Sequence, residues 1–459
     1  MQQLAHRGLE PGKSTVRCFF HEETRECSKP NIYRCRRAAL QTYQGRLKHI
    51  FEEVKNRLPD EIQNSKDKTG QRADLEKLSE YFNAAIVGTP ITKSDYASKK
   101  RERGPCDFVF CSQEEAEIIL EQGPPTMPIV VPPPPMTPGE RDEHIKDQKK
   151  LIRQVETNGW VDVYDSGATI HNDRKTVKMS VQEAMRRVNS DEKPPINMLN
   201  NPIPPENARN DWMASISGYG MADKVVNLAK RAGLDLTDFR ESMLLRLDGS
   251  TGAVTLLHVE KDGETTRILC AVGIKIWLIS KVLAGEEELR EFANTRTCSD
   301  NTFVLLIDEG YQLIQPPSTI HAVYTYARSV QFCFEYYDAR TLARSLSQSQ
   351  VDLELGDNSV ANEDSYKSLP EFYRICMECC EKEMRMGWRK RWPDMKDGEK
   401  HKQAKNDLLV SYIAGFIFTT NLSTSQSNIT WKKLFYVLKP IPVKKILQIR
   451  RNELQQDLG

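Results

Sequence analysis

The chain has 459 residues, enough for two or three folded units, and its 65 basic residues nearly cancel its 64 acidic ones to leave a net charge of +1. No global field draws such a chain to nucleic acid or to a membrane surface, so any binding of that kind must be local. The start, Met1 to Gly8, lacks the apolar centre of a signal peptide, and the longest apolar run, Leu408 to Phe418, is too short to span a bilayer. An intracellular address is expected, with the 11 cysteines mostly reduced.

From Tyr33 to Phe82 the sequence is charged and helix-favouring, with Leu47, Ile50, Phe51, Val54 and Leu58 in a three-four rhythm. It sets apart a basic, helical N-terminal region over residues 1–104. Cys18, His21, Cys27 and Cys35 offer four zinc ligands within it, but their gaps do not fit paired knuckles. Lys99 to Arg103 reads as a charged linker in preference to a nuclear-import patch. Cys111 to Gln122 reads as a short helix. Eight prolines between Gly123 and Pro138 surround Ile129-Val130-Val131. This is better read as a rigid loop leading an extended edge into a domain than as an SH3 or WW ligand, because the apolar triplet would otherwise be spent on solvent.

Short strands separated by turns follow: Val161 to Tyr164, Leu244 to Leu247, Val254 to His258, Thr266 to Ile279, Thr302 to Ile307, Leu313 to Gln315, His321 to Tyr326 and Ser329 to Tyr337. Long helical crossovers are missing between the later strands, which predicts an antiparallel barrel or double-sheet jelly roll across residues 105–345. One helix, Ala222 to Ala232, sits among them. Residues 346–459 read as a polar linker to Asp364 and then helices. There, Phe372, Ile375, Cys376 and Cys379 trace a buried stripe, not half a zinc site. Arg389 to Arg391, flanked by Trp388 and Trp392, reads as a solvated face before a phosphate contact. The fold class expected is α+β, with helical regions flanking the jelly roll.

Three His-x-acid triplets occur, at His21, His171 and His258, where 8 histidines and 64 acidic residues supply about one by chance. Only the third has a strand behind it. In a strand, positions i and i+2 share a face, so His258 and Glu260 project together after the apolar run Ala253 to Leu257. A buried carboxylate needs a partner, and a cation is the obvious one. His321, at the start of a strand just after Pro316-Pro317, supplies a third ligand. Two imidazoles and a carboxylate form the facial triad that holds Fe(II) for oxygen chemistry, while zinc on the same ligands suits hydrolysis. No general base stands beside the triad for a hydrolase.

The ordered set His258-x-Glu260, Gly273 to Ile279 with Lys275, and Gly310 to Thr325 with His321 resembles the JmjC family. The likeness covers roughly 105–337 and is strongest from Thr255 to Thr325. It implies a double-stranded β-helix of the cupin kind and an Fe(II)- and 2-oxoglutarate-dependent dioxygenase, many of the family being histone lysine demethylases of the nucleus. By position it implies that His258, Glu260 and His321 bind iron, that Lys275 pairs with the distal carboxylate of 2-oxoglutarate, and that Thr255 hydrogen-bonds it. Thr255 lies three before His258, so strict alternation turns it away unless a bulge intervenes. Ser329 to Tyr337 replaces a glycine-rich stretch, which implies bulk in a methyl-lysine channel, and Ile268 stands where a tyrosine is expected. A protein substrate follows, a histone tail among the candidates, with nucleic acid reached through local basic helices and no membrane. The rival reading is a JmjC-like scaffold on chromatin that does no chemistry; a cytoplasmic address is the alternative to a nuclear one.

Overall fold

The structure, a computed structural model, describes residues 15–17, 26–65, 70–91, 107–122, 125–133, 146, 159–165, 176–190, 194–203, 244–281, 283–297, 302–337, 341–356, 359–361, 369 and 372. Its strands are β1 (Thr15–Arg17), β2 (Glu26–Ser28), β3 (Ile86–Val87), β4 (Pro90–Ile91), β5 (Phe108–Phe110), β6 (Ile129–Val131), β7 (Trp160–Asp165), β8 (Thr176–Ser180), β9 (Ile196–Pro202), β10 (Leu244–Gly249), β11 (Val254–His258), β12 (Thr265–Ser280), β13 (Thr302–Ile307), β14 (Gln312–Gln315) and β15 (His321–Tyr336). The helices are α1 (Lys29–Asn64), α2 (Gln71–Ala84), α3 (Gln113–Gln122), α4 (Val181–Asn189), α5 (Glu286–Thr295) and α6 (Leu342–Leu355). β1 pairs with β2, and the remaining 13 strands form one large, mostly antiparallel sheet. The fold is therefore α+β.

Two strands of 16 residues organise the sheet. The first half of β12 and the second half of β15 pair along Thr265 to Cys270, flanked by β14 on one side and β10 on the other. Their other halves pair along Lys275 to Ile279, flanked by β13 and β11. The two strings of four, β14-β12-β15-β10 and β13-β12-β15-β11, are joined where both long strands turn a corner. Register shifts between Cys270 and Lys275 mark that corner. Gly273 makes it possible: its φ is +86°, and a Cβ there would lie 1.9 Å from the Arg328 carbonyl oxygen. Gly273→Ala is expected to cost roughly 3 kcal/mol or more in a denaturant melt, because neither backbone can yield without breaking the corner. A loss below 1 kcal/mol would show that the corner is soft.

Valine, isoleucine and aromatic residues dominate these strands, as a sheet covered on both faces requires. The outer cover comes from the N-terminal helices. Tyr43, Leu47, Ile50, Phe51, Val54 and Leu58 of α1 and Leu75, Leu78 and Phe82 of α2 share one core with Ile276, Leu278, Val304 and Leu306. The Tyr43 hydroxyl donates to Leu306 O and accepts from Leu306 N, both at 3.0 Å. Helices α1 and α2, from the helical region expected over 1–104, thus share a core with the sheet.

All eight expected strands form, with the last two fused into β15. The prolines around Ile129 to Val131 do lead an extended edge into the domain, as β6 between β5 and β14. The stretch after Ser345, read as a polar linker, is largely helix α6, and the division expected at 345 falls inside it. Cys18, His21, Lys99 to Arg103, Ala222 to Ala232, Cys376 to Cys380, Trp388 to Trp392 and Leu408 to Phe418 lie outside the described residues. Among the described residues no helix is long and apolar enough to cross a membrane.

Candidate metal centre

His258 ends β11 and His321 opens β15, and the antiparallel register places them directly opposite each other. Their ring centroids lie 4.0 Å apart. Glu260, two residues on, brings Oε1 to 3.4 Å from His321 Nε2. One ligand atom from each of the three residues falls within 4.8 Å of the other two. Ligand atoms about 2.1 Å from one ion and at right angles lie about 3 Å apart, so this trio could hold a metal ion after small side-chain movement.

The protonation pattern suits that role. Burial, with the His321 ring beside it, pushes the His258 pKa down to about 3, so the ring is neutral. His258 Nδ1 donates to Leu256 O at 2.7 Å, which leaves the lone pair on Nε2 free. His321 Nδ1 donates to Thr319 O at 3.0 Å. The Gln315 amide lies 3.0 Å from that same nitrogen while its Oε1 lacks a partner, and turning the amide over would let Oε1 accept a share of the N–H. Either way His321 Nε2 is left buried with only the 3.4 Å approach of Glu260 Oε1. Burial pushes the Glu260 carboxyl up, but the two imidazoles outweigh it and hold the group below the usual carboxylate range. An orphaned imidazole nitrogen aimed at an ionised carboxylate is what a cation would complete. Trp277 stacks on His321, with centroids 5.0 Å apart and planes 20° from parallel, and fixes the ring's tilt.

Lys275 lies on the same inner face. It stands opposite Thr325 on β15, two residues before Trp277, and is 5% exposed. Burial pushes its pKa down to about 8, against the pull of Cys270, Asp248 and Cys333, and no ion pair meets it among the described residues. Thr255 joins it. The register between β11 and β15 shifts between Thr255 and His258, so the irregularity that Thr255 needed to face inward is present. Asn197 of β9 donates from Nδ2 to Thr255 Oγ1 at 2.8 Å, which leaves the Thr255 hydroxyl hydrogen for an anion, and Thr325 donates to Asn197 Oδ1 at 3.4 Å. Gly249 permits this packing: a Cβ there would lie 2.7 Å from Thr325 Oγ1 and 2.8 Å from Asn197 Oδ1. A buried ammonium on the same inner face as a hydroxyl with a spare hydrogen is suited to an anion.

Sequence reading missed Asn197, because a segment between Pro194-Pro195 and Pro202 does not read as a central strand. It also missed α6. Gln348 Nε2 donates to the carbonyl oxygen of Glu260, Ser349 Oγ to Asp262 O at 3.1 Å, and Ser345 Oγ to Gly263 O at 2.6 Å. On the other side, Val259 N donates to Val360 O at 3.1 Å. The turn that carries Glu260 is therefore clamped from two directions, with Asp262 at φ +51° and Gly263 at φ +69°. Gln348→Ala is expected to weaken metal binding about 10-fold, since groups that orient a ligand typically contribute on that scale. Metal titration against the melting temperature measures it, and an equal affinity in both proteins would remove Gln348 from the site.

Within Ser329 to Tyr337, where bulk was expected, the side chains divide between the two faces of the sheet. Val330, Phe332 and Phe334 pack into a separate outer cluster with Leu269 and Ala271. Ser329, Gln331 and Cys333 alternate with them on the inner face. Ile268, where a tyrosine was expected, is a core residue opposite Cys333 and Leu313. No protein-family model matches the chain, and no curated protein does.

Proposed function

We propose that this protein is an Fe(II)- and 2-oxoglutarate-dependent oxygenase of the JmjC type, built on a double-stranded β-helix and acting on a protein side chain. The observation that carries the proposal is the pairing of two unsatisfied sets on one inner face. His258, Glu260 and His321 present ligand atoms to one point, and the buried Lys275 ammonium waits beyond them with Thr255. Zinc hydrolysis would use the first set and leave the second unexplained. The two four-strand strings that share β12 and β15 support the fold part, because a double-stranded β-helix needs strands that pass from one sheet to the other at a corner.

Iron with 2-oxoglutarate supplies oxidation of a C–H bond coupled to cosubstrate decarboxylation to succinate; on an N-methyl lysine that oxidation ends in formaldehyde and demethylated lysine. The chain's own part is to hold and exclude. His258 and His321 present ring nitrogens, Glu260 gives one negative charge, Lys275 and Thr255 seat an anion, and Trp277 walls the site against water. The narrower form of the proposal takes a histone tail as substrate and places the protein in the nucleus. The test is succinate release from 2-oxoglutarate by the Fe(II)-loaded protein beside His258→Ala. Release by the wild type alone is the expected result, and equal release from both favours the silent scaffold. Formaldehyde from methylated histone peptides then separates demethylase from hydroxylase.

A further inference from the structure

The inner face beyond Lys275 holds a second group of unsatisfied polar atoms. Gln331 is fully buried, and its Oε1 and Nε2 meet no nitrogen or oxygen partner, only the weakly polar Cys270 thiol. Ser329 Oγ, two residues earlier on the same face, is equally buried and equally unpartnered. A buried primary amide left this way is a burden to keep in a strand where leucine would pack.

Position explains what the amide is near. Gln331 stands opposite Cys270 on β12. The Cys270 thiol donates to Val272 O at 3.3 Å and Gly273 O at 3.4 Å, so it offers the amide only a weak sulfur acceptor. A Cβ built on Gly249 would lie 2.7 Å from Thr325 Oγ1, which stands opposite Lys275, and 3.2 Å from Ser329 Oγ. Lys275 and the Ser329–Gln331 pair therefore border one space from the two halves of the sheet. Gly249, opposite Ser329, adds no side chain to the space between them.

We propose that Gln331 is an anchor for the same dicarboxylate that Lys275 binds, its Nε2 donating to the distal carboxylate from the opposite side of the pocket. This rests on the oxygenase reading for the identity of the ligand. It adds that the anion is gripped by both halves of the sheet, with Ser329 beside the amide as a further donor. A carboxylate has lone pairs for both donors, and a charge-assisted hydrogen bond from a buried amide is among the stronger neutral-to-charged contacts.

The experiment is equilibrium binding of 2-oxoglutarate to the full chain loaded with Mn(II), for the wild type, Gln331→Leu and Gln331→Glu. Gln331→Leu is expected to bind about 10- to 100-fold more weakly, and Gln331→Glu to show no binding because it sets a carboxylate against a carboxylate. Metal affinity should be equal in all three. Without ligand, Gln331→Leu should melt at or above the wild-type temperature, since it removes unmet polar atoms; a glutamine kept only for structure would lose stability instead. Wild-type affinity in Gln331→Leu overturns this inference and leaves the role of Lys275 standing. A wild type that binds metal but no 2-oxoglutarate overturns the oxygenase reading and this inference with it.

Discussion

Replacing Lys275 with methionine is expected to raise the stability of the ligand-free protein and to weaken 2-oxoglutarate binding by at least about 100-fold. Both effects have one cause. The ammonium is buried with no ion pair among the described residues, and its pKa falls from 10.5 to about 8. That depression corresponds to roughly 3 kcal/mol of destabilisation at neutral pH. The sign follows from proton counts. Between pH 8 and 10.5 the unfolded chain keeps the proton and the folded one releases it, so wild-type stability rises with pH through that window. Below pH 8 both states are protonated, and the penalty is present in full. Methionine has the same reach and no charge, so the variant should lack this rise and lie above the wild type at pH 7. Bound dicarboxylate compensates the charge, which predicts that its affinity for the wild type falls as pH climbs past about 8. A Lys275→Met protein that is less stable at pH 7, or that binds 2-oxoglutarate as before, would contradict the assignment.

Glu260→Gln is expected to lower metal affinity about 100-fold while leaving the fold intact, because it keeps the shape and removes the only formal negative charge of the trio. His258→Ala should do at least as much, with a cavity penalty added. The stability readout is independent of catalysis. A metal at 100 times its dissociation constant stabilises the native state by about 2.7 kcal/mol, so the wild type should melt higher with Mn(II) or Zn(II). Glu260→Gln should lose that increment at the same concentration. An identical increment in the two proteins would place the metal elsewhere.

The strands and the ligand trio were legible because their signals are local. Val254 to His258 and Phe303 to Ile307 announce a sheet by composition, and His258 and Glu260 share a face by alternation alone. Thr255 was only half legible: its neighbours give no sign of the register shift that turns it inward. The polar helix α6 was invisible for the opposite reason. Ser345, Gln348 and Ser349 look like linker residues, yet they point into the turn after Glu260, where backbone carbonyls absorb their hydrogen bonds. Composition alone also hides how the sheet sorts Ser329 to Tyr337: Phe332 and Phe334 go to one side, Gln331 and Cys333 to the other.

The convergence of His258, Glu260 and His321 on one ion is tested most directly by anomalous diffraction from crystals of the Mn(II)- or Fe(II)-loaded protein. A single peak about 2.0–2.2 Å from His258 Nε2, His321 Nε2 and a Glu260 oxygen is the predicted result. A well-ordered site without a peak, or a peak held by other residues, would contradict it.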